Sequence, residues 1–140
     1  MNIQVIITAP KSLKKLKNSF FQAARQGDRD KVRELLEMID VDSTNYTGWT
    51  ALMMASVFSN TEVVRLLLAN GAEVDSKDED GRTALMYASR EGRKGHKRVV
   101  ELLLANGADM DSEDTDGYTA LMYASRYGNK EIIKLLKEAE

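Results

Sequence analysis

The sequence predicts an all-α fold built from a stack of helical repeats, and the first observation behind this is a ten-residue motif that returns. The stretch DGRTALMYAS at 80–89 recurs as DGYTALMYAS at 116–125, and a looser copy, TGWTALMMAS, spans 47–56. The central threonines, Thr50, Thr83 and Thr119, lie 33 (83 − 50) and 36 (119 − 83) residues apart. A fixed period of this size is typical of stacked repeats, in which each unit contacts only its neighbours.

A second motif keeps the same phase and gives each repeat two helices. VVRLLLANGA at 63–72 returns as VVELLLANGA at 99–108. Val63, Leu66 and Leu67 form the i, i+3, i+4 stripe that buries an outer helix against an inner one. Gly71 and Gly107 are placed to end the outer helices in a left-handed conformation. The threonine of the first motif precedes an apolar run and is a suitable N-cap for the inner helix.

These motifs resemble the ankyrin repeat family over roughly residues 20–140. The family pattern G-x-T-P-L-H-x-A-A is present with alanine for proline at 51, 84 and 120 and methionine for histidine at 53, 86 and 122. The pattern V-V-x-L-L-L-x-x-G-A is intact twice. The resemblance implies an ankyrin repeat solenoid, in which helix-turn-helix repeats are joined by β-hairpin-like fingers.

The expected organisation is an N-terminal extension at 1–11 followed by one ankyrin repeat domain at 12–140. The repeats are expected at about 12–44, 45–77, 78–113 and 114–140, with the outer two as caps. The extension is expected to be a frayed tail or an arm lying on the first helix. A basic targeting segment is the alternative, because no acidic residue precedes Asp28.

Two repeats depart from the period. The first is one residue short and lacks the glycine that ends the later outer helices, so its outer helix is expected to end without one. The third carries three extra residues, 93–95, between its two helices, and the expectation is a surface loop. They belong to a basic run, for which docking of an acidic partner is the alternative. The run is Arg90, Arg93, Lys94, His96, Lys97 and Arg98.

Composition excludes several classes of function. The chain has no cysteine, which removes disulfides, zinc-thiolate sites and thiol catalysis. The net charge of −2 gives no general attraction to nucleic acid, and no apolar run is long enough to cross a bilayer. No phosphate loop or G-x-S-x-G motif is present, and His96, the single histidine, is expected to be structural. We therefore expect no enzymatic activity, no cofactor and no metal.

The resemblance also implies a concave binding face, formed by the positions around each finger glycine and those after the inner-helix alanines. Carried over to this sequence, the expected partner-binding positions are Tyr46, Trp49, Phe58, Glu79, Asp80, Arg82, Arg90, Asp116, Tyr118, Arg126 and Tyr127. Aromatic and arginine side chains on an exposed face are typical of binding hot spots. The alternative for each aromatic residue is packing between adjacent fingers.

The expected function is binding of another protein through this face. An inhibitor or regulatory subunit of an enzyme, using the same face, is the alternative. No nucleic acid or membrane partner is expected. The chain is expected to be mostly monomeric, with weak end-to-end self-association through a thinly capped last repeat. A cytoplasmic location is expected, with a secreted or targeted form left open.

Overall fold

The computed structural model describes residues 10–140, and these residues form eight α-helices arranged as four helix pairs. The N-terminal extension was expected at 1–11; residues 1–9 lie outside the described part, whereas residues 10 and 11 belong to the first helix and not to a tail. The helices are α1 (Pro10–Gln26), α2 (Arg29–Leu35), α3 (Ala51–Val57), α4 (Thr61–Ala69), α5 (Ala84–Glu91), α6 (Lys94–Ala105), α7 (Ala120–Arg126) and α8 (Lys130–Glu138). The all-α prediction is confirmed.

The helices form two rows. The inner helices α1, α3, α5 and α7 each pack on the next, and the outer helices α2, α4, α6 and α8 do the same. Ala55, Ala88 and Ala124 are completely buried in the inner row, where a small side chain lets neighbouring helices approach closely. The core lies between the rows and includes Val63 and Leu67 of the predicted outer-helix stripe, both fully buried. Leu66, the third member, is half-buried against it.

The predicted N-caps of the inner helices are present. The hydroxyl oxygens of Thr50, Thr83 and Thr119 accept a hydrogen bond from the backbone N–H three residues on, at 3.2, 3.3 and 3.3 Å. Each threonine has extended backbone angles, as an N-cap residue requires. The repeated motif therefore fixes where each of the helices α3, α5 and α7 begins.

Outer helices end in two ways, as their sequences predict. Gly71 has a φ of 83°, and the N–H of Ala72 reaches back to the carbonyl of Leu67 at 3.0 Å. This is the hydrogen bond of a glycine-terminated helix, and the third repeat reproduces it. In the shorter first repeat, the N–H of Ile39 bonds the carbonyl of Leu35 at 2.9 Å without a glycine. The shorter connection thus removes the need for positive φ.

Three hairpin-like fingers connect the repeats. In each, the N–H of Asn45, Asp78 or Asp114 donates to the carbonyl four residues on, at 2.9, 3.0 and 2.9 Å. The first finger also has an isolated antiparallel bridge between Thr44 and Thr50. The fingers bring the positions before each inner helix to one edge of the stack.

The three inserted residues do not form a loop, so that prediction was wrong. Helix α6 has 12 residues where α4 has 9, and its extra turn begins at Lys94 after Arg93. Gly95 packs so closely on the preceding repeat that a Cβ there would lie 1.9 Å from the Ser59 hydroxyl oxygen. The insertion is helical because it packs against the end of α3.

A hydrogen bond between repeats explains the buried histidine in this extra turn. Asn60 donates from Nδ2 to two carbonyls at the end of α1, at 2.7 and 2.8 Å, and Asn129 does the same at the end of α5, at 2.6 and 3.0 Å. In the third repeat this position is Arg93. His96 takes over, because its Nε2 donates to the Val57 carbonyl at 2.6 Å. The extra turn therefore replaces a missing asparagine contact.

Two glycines provide a matched test of the asparagine contact. Gly92 and Gly128 both have φ of 68°, but a Cβ on Gly92 would lie 1.9 Å from Asn129 Oδ1, while one on Gly128 meets nothing within 4 Å. Both alanine variants incur the cost of a left-handed residue, about 1–2 kcal/mol. We expect Gly92→Ala to lose about 1 kcal/mol more in chemical unfolding, because it also displaces the Asn129 amide. Equal losses would contradict this role of Asn129.

Candidate functional site

The finger tips present one aromatic and several acidic side chains to solvent. Tyr46, at the tip of the first finger, is 93% exposed. Glu79, Asp80 and Asp116, at the tips of the next two fingers, are also exposed. The sequence placed these residues at the finger edge of the concave face, and the structure brings them to consecutive finger tips.

The far ends of the inner helices present further aromatic groups. Phe58 follows α3 and is 45% exposed, while Tyr127 follows α7 and is 56% exposed. The Arg25 guanidinium lies 5.1 Å from the centre of the Phe58 ring. Because α3 and α7 have 7 residues each, the finger positions and these helix ends are separated by about 10 Å along the helix axis.

Between these edges, Trp49 belongs to an internal stack. Its ring lies 4.6 Å from that of Tyr87 in the next repeat, centre to centre. The Arg90 guanidinium lies 5.2 Å from the centre of the same tyrosine ring and also pairs with Glu91 at 3.1 Å. Trp49 and Arg90 are thus brought together through Tyr87 and are half-buried. They combine packing within the chain with partial exposure.

A second cluster forms one repeat later. Arg82 donates from Nε to the Tyr123 hydroxyl at 3.1 Å, which links the third repeat to the fourth. The ring of Tyr118 lies 5.5 Å from that of Tyr123. Arg126 donates to the Tyr118 hydroxyl at 3.2 Å. Two predicted positions, Arg82 and Tyr118, therefore contact the buried Tyr123, and Arg126 joins this cluster through Tyr118.

The residues that organise both clusters are two buried aspartate–tyrosine pairs, which the sequence did not single out as a site. The Asp78 side chain accepts hydrogen bonds from the Tyr87 hydroxyl and from two backbone N–H groups of its own finger. Asp114 does the same for Tyr123 and the N–H groups of Asp116 and Tyr118. Each pair joins a finger to the inner helix that follows it.

Electrostatics reflect this bonding. Burial raises the pKa of the Tyr87 hydroxyl above its usual range, and the hydrogen bond to Asp78 raises it further. The pKa of Tyr123 is raised by burial and then by its bond to Asp114. For Asp114, burial acts to raise the pKa, but hydrogen bonds from Tyr123 and the backbone and the charge of Arg82 together lower it.

One signal in the sequence points to these pairs. The aspartates stand nine residues before their tyrosines, and the equivalent positions in the previous repeat are Asn45 and Met54. Asn45 Oδ1 still accepts the N–H groups of its finger, at 2.9 and 3.0 Å. A methionine offers no hydroxyl, so no carboxylate is required. Aspartate therefore occurs with tyrosine and asparagine with methionine.

The basic run around the insertion is largely paired within the chain. Lys97 lies 3.4 Å from Glu131 and Arg98 lies 3.6 Å from Glu101, measured between nitrogen and oxygen. His96 is buried. The pairing of Arg90 with Glu91 removes another charge from the run. Three cations of this segment therefore already have a carboxylate partner within the chain, which an acidic partner would have to replace.

Neither a group of metal-binding side chains nor a membrane-spanning helix is found among the described residues. Through residues 10–140, no three histidine or acidic side chains are grouped so that they could hold a metal ion. None of the helices in the same range is both long enough and apolar enough to span a bilayer. What the clusters offer is a surface of aromatic rings, guanidinium groups and carboxylates on rigid supports.

Comparison with known proteins agrees with the motifs. A family model described as ankyrin repeats (3 copies) matches residues 20–114 and 80–140. Relatives named ankyrin repeat, SAM and basic leucine zipper domain-containing protein 1 match shorter stretches. The protein from Oryctolagus cuniculus is 40% identical over 83 residues, which cover 59% of this chain and 17% of the relative.

Other species give similar values. The protein of that name from Echinops telfairi is 42% identical over 82 residues, covering 58% of this chain and 17% of the relative. The one from Papio anubis is 45% identical over 73 residues, covering 51% and 15%. The matched part thus spans less than a fifth of each relative's length, so these similarities concern the repeats alone. From the matched family model and the repeat geometry, the chain belongs to the ankyrin repeat family.

Proposed function

We propose that this chain binds another protein through the concave face formed by the three finger tips and the inner helices α3, α5 and α7. Ankyrin repeats are generally protein-interaction modules, and the family is generally non-enzymatic. The observation that carries the proposal is exposure. Tyr46 is exposed at a finger tip and Phe58 and Tyr127 at the ends of inner helices, and Met122 is the other large apolar side chain exposed within the described part. Exposed aromatic side chains of this kind are enriched among binding hot spots.

Charge supports the same face. Glu79, Asp80 and Asp116 form an acidic edge at the finger tips, whereas Arg126 lies exposed at the far end of α7. A partner segment with basic groups near the fingers and apolar groups near the helix ends would complement this pattern. The finger carboxylates would act mainly on the association rate, with a dependence on salt. The aromatic groups would act mainly on dissociation.

The aromatic anchors give the main test. Once a pull-down has identified a partner, we expect Phe58→Ala and Tyr127→Ala each to weaken binding by about 2 kcal/mol, as hot-spot residues do. These variants are preferred to Trp49→Ala and Tyr118→Ala, whose rings also pack on buried tyrosines. Calorimetric titration of the purified partner measures the loss. Unchanged affinity in both variants, together with loss of binding in Arg93→Gln, would move the site to the α6 extension.

The finger carboxylates have a matched control. Asp80→Asn combined with Asp116→Asn should slow association and flatten its salt dependence. Glu34→Gln combined with Glu62→Gln makes the same change in net charge at exposed positions of the outer helices. Stopped-flow association rates at several salt concentrations compare the two. An equal effect of both pairs would indicate net charge rather than this face.

Once the partner is identified, an assay of its activity shows whether this chain only binds it or also inhibits it. If it is an enzyme, its activity with and without the ankyrin chain separates simple binding from inhibition through the same face.

Weak end-to-end self-association stays a prediction. Its apolar group would be Met122, which is 48% exposed on the last repeat, while the equivalent Met86 is 2% exposed beneath a neighbour.

A further inference from the structure

We propose that a groove at the first-repeat end of the concave face binds an extended acidic segment of the partner protein. The proposal rests on the proposed function and names the partner's chemistry at one end of the site. The groove lies between the N-terminal half of α1 and the first finger and has a volume of about 380 Å³. The residues of its lining that matter here are Leu13, Lys14, Lys17, Phe21, Asn45 and Tyr46.

The groove exists because a helix stands where the later repeats have a finger. Gly27 and Ser59 both follow an inner helix with positive φ, 76° and 59°, and are 32 residues apart (59 − 27). With that spacing, Asn18 corresponds to Thr50, so the residues before Asn18 occupy the place of a finger. These residues belong to α1, which begins at Pro10. The first finger therefore has a helix beside it.

Because a helix rather than another finger lies beside the first finger, one backbone N–H at the tip of that finger has no acceptor within residues 10–140. The N–H of Glu79 donates to the Thr47 carbonyl of the preceding finger at 3.4 Å, and the N–H of Thr115 donates to the Asp80 carbonyl at 3.0 Å. Tyr46 is the equivalent residue of the first finger. No acceptor for its N–H is found among residues 10–140. A carbonyl of an extended segment can take this position, as in peptide recognition by strand edges.

The side chains of the groove define what such a segment carries. Leu13 and Phe21 provide apolar contact area, with Phe21 nearly buried and Leu13 half-buried. Lys14 and Lys17 are the charged side chains that line the groove, and no acidic one does among the described residues. The first acidic residue of the chain is Asp28. A segment that pairs an apolar side chain with a carboxylate therefore fits, because the carboxylate would receive charge-assisted hydrogen bonds from the lysines.

The positive charge of the groove also favours a partner segment over residues 1–9 of this chain as its occupant. Residues 1–9 contain no acidic side chain and cannot supply a carboxylate to the two lysines. The acidic tips of the later fingers carry the opposite sign from the groove. A partner segment that runs along the concave face would thus be acidic at the first repeat and basic toward the third and fourth.

The groove is tested directly with synthetic peptides on the full chain. The probe is a short capped peptide in which glutamate and leucine alternate. One control replaces every glutamate with glutamine, and another replaces every glutamate with lysine. Amide NMR spectra recorded during the titration should show the largest shifts at Tyr46, Asn45 and the first turns of α1. We expect the glutamate peptide to shift these groove amides, the glutamine peptide to shift them at higher concentration, and the lysine peptide to leave them unshifted.

Two double variants, each of which removes two positive charges, test whether the peptide binds in the groove. Lys14→Gln with Lys17→Gln should weaken the glutamate peptide by about three- to tenfold, the range for two exposed ion pairs. Lys15→Gln with Lys31→Gln serves as the control, because Lys15 of α1 and Lys31 of α2 line a different groove, between these two helices. The control should change affinity by less than about twofold.

Each contrary result overturns the inference. Equal binding of glutamate and glutamine peptides removes the acidic specificity. Shifts confined to later fingers remove the location. Much tighter binding after deletion of residues 1–9 means that the chain's own N-terminus fills the groove. A partner that responds to Phe58 and Tyr127 but not to Lys14 and Lys17 overturns the groove alone and leaves the concave face standing.

Discussion

Leu85→Ala is expected to lower the free energy of unfolding by about 2–5 kcal/mol, the range for a buried leucine that leaves a cavity. Leu85 is 1% exposed in α5, which packs on both α3 and α7. In a stack where each repeat contacts only its neighbours, damage to a central helix affects two interfaces. Chemical denaturation monitored by circular dichroism measures the loss.

The control lies on the last inner helix. Met122→Ala removes a large apolar side chain that is 48% exposed, so little buried area is lost. We expect a change below about 1 kcal/mol, because partial exposure removes most of the transfer and cavity cost. A loss below about 1 kcal/mol for Leu85→Ala would instead mean that Leu85 contributes little to the core.

The sequence predicted best those features that depend on neighbours in the chain. Thr50 caps the helix that starts one residue later, and Gly71 ends the helix just before it. The missing glycine of the first repeat follows from a one-residue deletion in the same segment. Each of these is a hydrogen bond closed within about six residues, so the residue type and its spacing are enough to identify it.

Contacts between repeats were harder to predict from the sequence. The insertion at 93–95 was expected to be a surface loop because it falls between the two helices of its repeat. Its helical state depends on Gly95 meeting Ser59 and on His96 reaching Val57, both in the preceding repeat. Sequence spacing within one repeat contains no information about these partners. The loop prediction therefore failed where tertiary packing decides the backbone.

On the predicted binding face, too, the sequence predicted positions in the repeat but not the contacts between side chains. The exposed positions Tyr46 and Tyr127 could be assigned from the repeat register, and their role in binding stays a prediction. Tyr87 and Tyr123 are buried in the core, and each also donates its hydroxyl to a finger carboxylate, a contact that the repeat register does not predict. The paired change from Asn45 and Met54 to aspartate and tyrosine was present in the sequence, but its meaning depends on which side chains meet in three dimensions.

The largest polar contribution to stability is expected at Asp114. Its carboxylate, with 1% of the side chain exposed, accepts hydrogen bonds from the Tyr123 hydroxyl and from the N–H groups of Asp116 and Tyr118. Asp114→Ala leaves these three donors without their acceptor. At about 1 kcal/mol for each lost hydrogen bond, of which one is buried and two are part-buried, we expect a loss of about 3 kcal/mol.

Two variants separate this contribution from a general effect of lost charge. Asp116→Ala removes an exposed carboxylate two residues away and should change stability by less than about 0.5 kcal/mol. Asp114→Asn combined with Tyr123→Met copies the Asn45 and Met54 arrangement found one finger earlier. This double variant should lose much less stability than Asp114→Ala. A loss as large as that of Asp114→Ala would contradict the exchange of one pair for the other.

The stability that Asp114 and Tyr123 contribute is expected to depend on pH. Because the folded-state pKa of Asp114 is lowered, its stabilising effect is complete above the unfolded-state pKa, about 4, and is lost as pH falls through the folded value. The pKa of Tyr123 is raised, so its contribution is complete below about pH 10 and is lost as pH rises through the folded value. Unfolding measured from about pH 2 to about pH 11 should therefore show the stability difference between the wild type and the double variant that combines Asp114→Asn with Tyr123→Met shrinking as pH falls below about 4 and as pH rises above about 10. A constant difference across that range would exclude ionisation of this pair as the source of the stability.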